Sequence, residues 1–248
     1  MERKRILIGV PRWAYGQPEP EHWRIQVAAH LGGKMADPAF PYHFDFMCIP
    51  NVLVHFAREL ICKAAVAGNY DFVCMVDDDM NGPLNLWEKL IENDVDICAP
   101  LAFTRMGQHS PVVYGMIHRH IEGRGFEPVK SHFVLNYPRN TLFECAAVGF
   151  GAVCIKVETT LKRIAPPWFF TFKDDGTRGT GEDVWFCRLM AEKADARIFC
   201  DSRIVLGHLG APKWINEETY LESNPQVKEL YEVCGEWSQE KSKQGLLS

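Results

Sequence analysis

Three carboxylates stand in a row at Asp77, Asp78 and Asp79, directly after the compact apolar run Asp71–Val76. Asp77 and Asp79 are the alternate pair of that row. Like charges held so close repel, and burying them together is costly unless a cation joins them. A hard divalent ion shared with a substrate diphosphate supplies such a partner. The same ion would stabilise the charge on a departing nucleoside diphosphate. The bland alternative is a solvated acidic turn. The position argues against it, because ligands of open α/β sheets lie beyond the carboxyl ends of the strands.

A second acidic pair, Glu182 and Asp183, opens an amphipathic segment that runs to Ala194. Acids in a first helical turn suit the helix dipole, and Thr180 with Asp183 has the spacing of a capping box, so capping alone explains the pair. A carboxylate at a helix start behind a glycine-containing loop is also a suitable general base or acceptor-binding group. His208 sits between two glycines in VLGHLG. Its use as a metal ligand requires the acidic triplet to lie nearby in the fold. A mixed carboxylate and imidazole set suits manganese better than calcium. His118 and His120 would share one face of a strand, and with no carboxylate close in sequence they read as ordinary strand residues.

The elements around these residues follow from periodicity. Arg5–Val10 reads as a buried strand that Pro11 stops, followed by a loop to about Pro20 and a short helix over Glu21–Leu31. His43–Ile49 alternates as a second strand. Asn51–Ala67 carries Leu53, Phe56, Ala57, Leu60, Ile61 and Ala64 at the helical period, and Gly68 ends it. The strand before the acidic triplet, a helix over Leu84–Glu92 and a strand over Asp96–Leu101 complete an alternation that predicts a parallel sheet with helices on its faces. Further on, Pro111–Ile121 and Phe133–Leu135 read as strands, Ala146–Lys156 as an apolar glycine-containing strand and Arg197–Leu206 as a last strand. The segment Asp174–Gly181 holds three glycines and few apolar residues, which fits either a lid or a surface loop. Trp168, Phe169 and Phe170 either stack on a sugar or fill the core, with core expected for at least two.

At 248 residues and 47% hydrophobic content the chain is sized for one α/β domain with an ordinary core. A net charge of -5 argues against a broad nucleic-acid face. No apolar run approaches the ~20 residues that span a bilayer, and the N-terminus lacks a signal-peptide core. The nine cysteines are scattered without metal-type spacing, which points to free thiols and a cytoplasmic setting.

With these pieces in order, the chain resembles the GT-A-fold glycosyltransferases, in particular the family-2-like type of phages and microbes. ILIGVPRW resembles the first strand and nucleotide-binding turn. HFARELICKAAVAGNYDFVCMVDDDM resembles the helix arginine that precedes the strand and its Asp-x-Asp motif. VGFGAVCIKVETTLKRI, TGEDVWFCRLM and DSRIVLGHLG resemble the acceptor-side strand, the Glu-Asp helix start and the ending that carries a metal-binding histidine. The likeness spans about Arg5 to Gly210. It departs at Arg12 and Trp13, where a Thr-Tyr-Asn type of turn is usual, and at Glu59, where an asparagine usually follows the arginine.

The resemblance implies a single GT-A-type domain with a Rossmann-like mixed central sheet flanked by helices. A nucleotide-binding half would cover about 1–105, an acceptor-side half 106–212 and a helical tail 213–248. It implies transfer of a sugar from a nucleotide-sugar donor, a UDP-sugar, to a hydroxyl acceptor that is a glycan, a small glycoside, a protein or a modified nucleic-acid base. Pro11, Arg12, Arg58, Asp77 and Asp78 would bind the donor, with Asp77 toward the nucleoside. Asp79 and His208, with Asp77 as the alternate carboxylate, would hold Mn2+ or Mg2+. Gly149, Gly151 and Trp168 would line the acceptor side, and Asp183 or Glu182 would serve catalysis. Two rival classes remain: a nucleotidyltransferase acting on sugar phosphates, which usually carries a glycine-rich basic phosphate loop after the first strand, and a noncatalytic nucleotide- or sugar-binding module.

Overall fold

The computed structural model describes residues 2–12, 18–105, 107–121, 125–170, 181–210 and 214–228, with the backbone alone at 116–131 and 214. The Asp174–Gly181 lid reading and the end of the helical tail therefore fall largely outside the described residues.

The first half alternates as its periodicity predicts. Strand β1 (Lys4–Arg12) leads to α1 (Pro18–Met35), β2 (Tyr42–Pro50), α2 (Val54–Ala67), β3 (Phe72–Val76), a two-residue β4 (Met80–Asn81), α3 (Leu86–Glu92) and β5 (Ile97–Leu101). The second half runs through β6 (Val113–Ile121), β7 (Gly125–Phe133), β8 (Leu142–Cys145), β9 (Ala147–Val148) and β10 (Ala152–Lys156). It closes with α4 (Glu182–Ala194), β11 (Ile198–Val205), β12 (Gly207–Leu209), β13 (Trp214–Ile215) and α5 (Glu217–Ser223).

Seven strands form one mixed sheet in the order β2-β1-β3-β10-β5-β11-β8. The β1–β2, β1–β3 and β5–β11 pairs are parallel, whereas β10 and β8 run against their neighbours. The fold is thus a Rossmann-like mixed α/β sheet flanked by helices. Its side chains alternate between two apolar layers, as pleated strands require. Leu7, Val73, Met75, Val153 and Ile155 pack toward α2 and α4 with Ile61, Phe186 and Met190. Ile6, Ile8, Phe72, Cys74 and Val76 pack toward α1 and α3 with Trp23, Val27, Leu31, Trp87 and Leu90.

Several sequence expectations need correction. Pro11 does not stop β1, which pairs with β2 as far as Arg12–Pro50. The carbonyl of Arg12 accepts from Asn51 N–H, so the missing amide of Pro11 faces the other side, where pairing with β3 has ended at Gly9–Met75. Helix α1 is longer than Glu21–Leu31 at both ends. Pro18 and Pro20 lie in its first turn, where an amide is not needed. Of the expected strand Phe133–Leu135 only Phe133 is in a strand, as the last residue of β7, which forms a hairpin with β6 over Tyr114–Phe133 to Ile121–Gly125. Ala146–Lys156 is not one strand but two, broken at the Gly149–Gly151 turn.

The stripe on α2 is also rotated from its expected face. Ala57, Arg58, Ile61, Cys62 and Ala65 are buried, while Leu53, Phe56 and Leu60 are exposed. Burial of the adjacent charged pair Arg58 and Glu59 sets that face, for reasons given by their partners below. The consequence is measurable in urea. Ile61→Ala removes a side chain from the core and is expected to cost about 2–5 kcal/mol. Leu60→Ala, one residue away, is expected to stay within about 0.5 kcal/mol. Equal losses at the two positions would refute this orientation of α2.

Candidate active site

The carboxyl ends of β1, β2, β3, β5 and β11 reach one edge of the sheet, and the turn before β10 meets them there. A cleft of about 260 Å³ opens on that edge. It is lined by Pro11, Arg12, Val52, Val54, Arg58, Asp77, Asp78, Asp79 and Glu182. All five residues expected at the donor therefore share one cleft, with Glu182 brought in from a helix more than a hundred residues away.

Arg58 organises the floor. Its side chain is only 3% exposed, yet it is charged. Nη2 donates to Asp77 Oδ1 at 2.7 Å and to the carbonyl of Phe150 at 3.1 Å, and Nη1 donates to Glu182 Oε1. The guanidinium also lies 5.4 Å from the centre of the Phe150 ring. Burial works against its charge, but Asp77 and Glu182 more than offset that, and its pKa is raised. Arg58 is thus committed to protein partners and shapes the cleft rather than reaching far into it.

Glu59, the next residue, holds the backbone at Trp168 and Phe169. Its Oε2 accepts from the backbone N–H groups of Trp168 at 2.8 Å and Phe169 at 3.3 Å, and Lys63 stands 3.2 Å from Oε1. This also corrects the reading of Trp168 as an acceptor contact. Its ring is 2% exposed and its Nε1–H donates to the Ile164 carbonyl, so it is core. Phe169 is buried as well, stacked on Phe186 at 4.6 Å. Phe170 is the outward-facing aromatic of the three, edge-on to Trp185.

The three aspartates have different surroundings. Asp77 N–H donates to the Gly151 carbonyl, and its carboxylate is held by Arg58. Burial raises its pKa, with Arg58 offsetting part of the rise and Asp79 adding to it. The backbone carbonyl of Asp78 accepts from Arg24 on α1 at 3.0 Å. Asp79 leads into β4, whose Met80 pairs with His208 in β12. That ladder, closed by Leu209 N–H donating to the Asp79 carbonyl, sets His208 Nε2 3.3 Å from Asp79 Oδ2. Arg105 Nη1 stands 3.0 Å from the same oxygen. Burial acts to raise the Asp79 pKa, but the bond and charge of His208 and the charge of Arg105 outweigh it and leave it lowered.

Asp79 and His208 have the chemistry to hold part of a cation's shell. Nδ1 of His208 lies 2.8 Å from the Phe103 carbonyl, which can only accept, so Nδ1 carries the proton. The other nitrogen, Nε2, faces the Asp79 carboxylate, where it donates when protonated and could bind a cation when it is not. Asp77, the alternate carboxylate, is held through Oδ1 by Arg58. Among the described residues no three carboxylate, imidazole or thiol side chains are grouped for a metal. Oxygens of water or of a ligand would have to complete the shell of an ion here.

On the facing wall, Gly181 is the N-cap of α4 and makes no side-chain cap. Thr180, the other residue of the expected capping box, lies outside the described residues. Glu182 turns to Arg58. Asp183 accepts from the Val184 N–H at 2.7 Å and pairs with no cation among the described residues. Burial raises its pKa and the Glu182 charge raises it further, with Arg58 offsetting part. Gly149 and Gly151 allow close packing in the turn between β9 and β10. A Cβ on Gly149 would sit 2.7 Å from Val112 Cβ, and one on Gly151 would sit 3.0 Å from Met80 Cε.

Sequence reading missed Arg24 and Arg105. Arg105 follows the end of β5, so a search beyond every parallel strand for charged residues, rather than for acids alone, finds it.

No protein-family model and no curated protein matches the chain. Among solved structures, A197 from STIV is similar over 83% of this chain and 85% of its own, with a TM-score of 0.52 and 17% identity. That likeness is one of fold. More distant similarities, below a TM-score of 0.5, include apo UDP-glucose pyrophosphorylase (8% identity, 92% and 99% of the two chains, TM-score 0.41) and the inositol-1-phosphate CTP transferase from T. maritima (10% identity, 92% and 98%, TM-score 0.42). No helix among the described residues is long and apolar enough to cross a membrane.

The Arg58 fork yields a stability test. Arg58→Ala leaves Asp77 and Glu182 without their cation and is expected to cost about 3–5 kcal/mol in chemical denaturation. Adding Asp77→Asn and Glu182→Gln to it should recover part of that loss. No recovery in the triple variant would mean the three charges are not one unit.

Proposed function

We propose that the chain is a metal-dependent glycosyltransferase, moving a sugar from a nucleotide-sugar donor, UDP-linked, to a hydroxyl acceptor. The observation that carries this reading is the pairing of Asp79 with His208 beside the Arg58-bound Asp77, in a cleft at the carboxyl edge of the sheet. Ligands of open α/β sheets bind at that edge.

In this reading Pro11, Arg12 and Asp78 border the donor, and Arg58 keeps Asp77 oriented toward the nucleoside. Asp79 and His208 hold a divalent cation, Mn2+ or Mg2+, which would neutralise charge on the departing diphosphate. The turn Gly149–Gly151 and the start of α4 border the sugar. Of the two acids expected to serve catalysis, Asp183 is the better base. Glu182 is spent on Arg58, whereas Asp183 has no cation partner among the described residues and a raised pKa, so its carboxylate has greater affinity for the acceptor proton.

Calorimetry with UDP and Mn2+ tests the donor half. Asp79→Ala should abolish metal-dependent UDP binding while the thermal transition persists; unchanged binding would sink the metal role. Release of pyrophosphate from nucleoside triphosphate and sugar phosphate, without hydrolysis or transfer from a nucleotide sugar, would assign the chain to nucleotidyl transfer instead.

Asp183 gives a sharper test because two effects have opposite signs. Asp183→Asn should cut transfer by about 10²–10⁴-fold and leave donor affinity nearly unchanged. A base must be ionised, so the acid limb of kcat/KM should lie above the ordinary aspartate value of about 3.9 and vanish in the variant. A raised folded-state pKa means that ionising Asp183 opposes folding, so stability is lost as pH rises through that pKa. Asp183→Asn should therefore raise Tm at neutral pH. A lower Tm with near-normal turnover would contradict both halves.

A further inference from the structure

Arg105 has no part in the reading above, yet it stands at its centre. Its Nη1 lies 3.0 Å from Asp79 Oδ2, the oxygen that His208 Nε2 approaches at 3.3 Å. The side chain is 55% exposed, whereas that of Asp79 is 18% exposed. A mostly solvated guanidinium thus reaches in to meet a mostly buried carboxylate. Its backbone is held independently of that contact. Phe103 bridges to Pro111, and Thr104 N–H donates to the Ser110 carbonyl. The carbonyl of Phe103 orients His208. One short segment after β5 therefore fixes the imidazole and also delivers a positive charge to the carboxylate beside it.

We propose that Arg105 is a resident counter-cation of Asp79, which a divalent ion displaces and which then binds the phosphates of the ligand. The inference rests on the proposed donor site. Asp79 Oδ2 sits on a mostly buried carboxylate that needs positive charge before ligand arrives, and the guanidinium supplies part of it. A divalent ion on the same oxygen repels the guanidinium. Arg105 is long and exposed enough to swing away, and a diphosphate drawn to the ion presents oxygens that match its fork of donors. The exchange conserves charge compensation at Asp79 in both states. It also couples metal and nucleotide binding, since the residue that hinders the first assists the second.

The test uses the full chain and reads binding, not turnover. Free Mn2+ is titrated by its electron paramagnetic resonance signal, without nucleotide, and UDP affinity is measured separately at saturating Mn2+. Arg105→Gln should bind Mn2+ alone about two- to fivefold more tightly, the range expected for losing a partly exposed competing ion pair. The same variant should bind UDP about tenfold more weakly, as for a lost charged hydrogen bond to phosphate. Arg105→Lys, which keeps the charge, should keep Mn2+ affinity near wild type. A merely structural role would move both affinities the same way. Mn2+ binding that is unchanged or weaker in Arg105→Gln but lost in Asp79→Ala would overturn the exchange and leave the metal site standing. Equal Mn2+ binding in wild type, Arg105→Gln and Asp79→Ala would overturn the exchange and the metal site together.

Discussion

A single buried guanidinium joins the parts of this molecule that must meet for its cleft to exist. Arg58 comes from α2 and grips the end of β3 through Asp77, the turn before β10 through the Phe150 carbonyl, and the first turn of α4 through Glu182. Those contacts are 19, 92 and 124 residues away along the chain. Stability alone does not account for such an arrangement, because buried ion pairs are often replaceable by apolar side chains at no loss. What an apolar replacement cannot do is hold two carboxylates at fixed positions on the cleft floor. The charge of Arg58 explains why α2 turns its polar pair inward and leaves Phe56 and Leu60 in solvent. Glu59 extends the same grip to the backbone at Trp168 and Phe169. Two adjacent residues of one helix thus fasten both walls.

The opposite end of the cleft is fastened by backbone. Pairing of β4 with β12 brings Asp79 to His208, and the Phe103 carbonyl fixes the ring. Main-chain ladders are well suited to this task, since they place side chains by register and leave those side chains open to ligands. Arg58 holds one oxygen of each carboxylate it binds from a buried and fixed position, whereas the cation at Asp79 is more than half exposed.

Much of the frame was legible because periodicity reports burial. The alternation of buried strands and amphipathic helices up to Leu101 predicts a parallel sheet, and β1, β2, β3 and β5 have that character. Glycines between His208 and its neighbours, and the acids at the start of α4, marked segments that the fold brings to one edge. Other features depend on contacts that sequence does not display. The α2 stripe was misplaced because Arg58 and Glu59 take burial from the apolar residues beside them. β7 owes its extent to hairpin pairing with β6. Pro11 is tolerated inside β1 only because β3 stops pairing two residues earlier. Arg105 has no distinctive spacing; only its place after a parallel strand marks it, and its significance comes from the contact with Asp79.

Three identical residues in a row therefore have three different physical characters, and the fold makes the difference. Asp77 ends a central strand, where α2 can reach it with a fixed charge. Asp78 lines the cleft with its backbone carbonyl tied to Arg24. Asp79 leads into β4, whose partner strand carries His208, and the cation it meets, Arg105, is more than half exposed. An immobile guanidinium on one carboxylate and a movable one on the other make different demands of a ligand. The first carboxylate is already neutralised and can only orient what binds. The second is compensated by a charge that can be exchanged, so a cation or a phosphate alters the balance there first. Repulsion within the triplet links the two, because Asp79 contributes to the raised pKa of Asp77. Positive charge gained at Asp79 therefore makes Asp77 easier to keep ionised, and tightens the Arg58 fork that holds the cleft together.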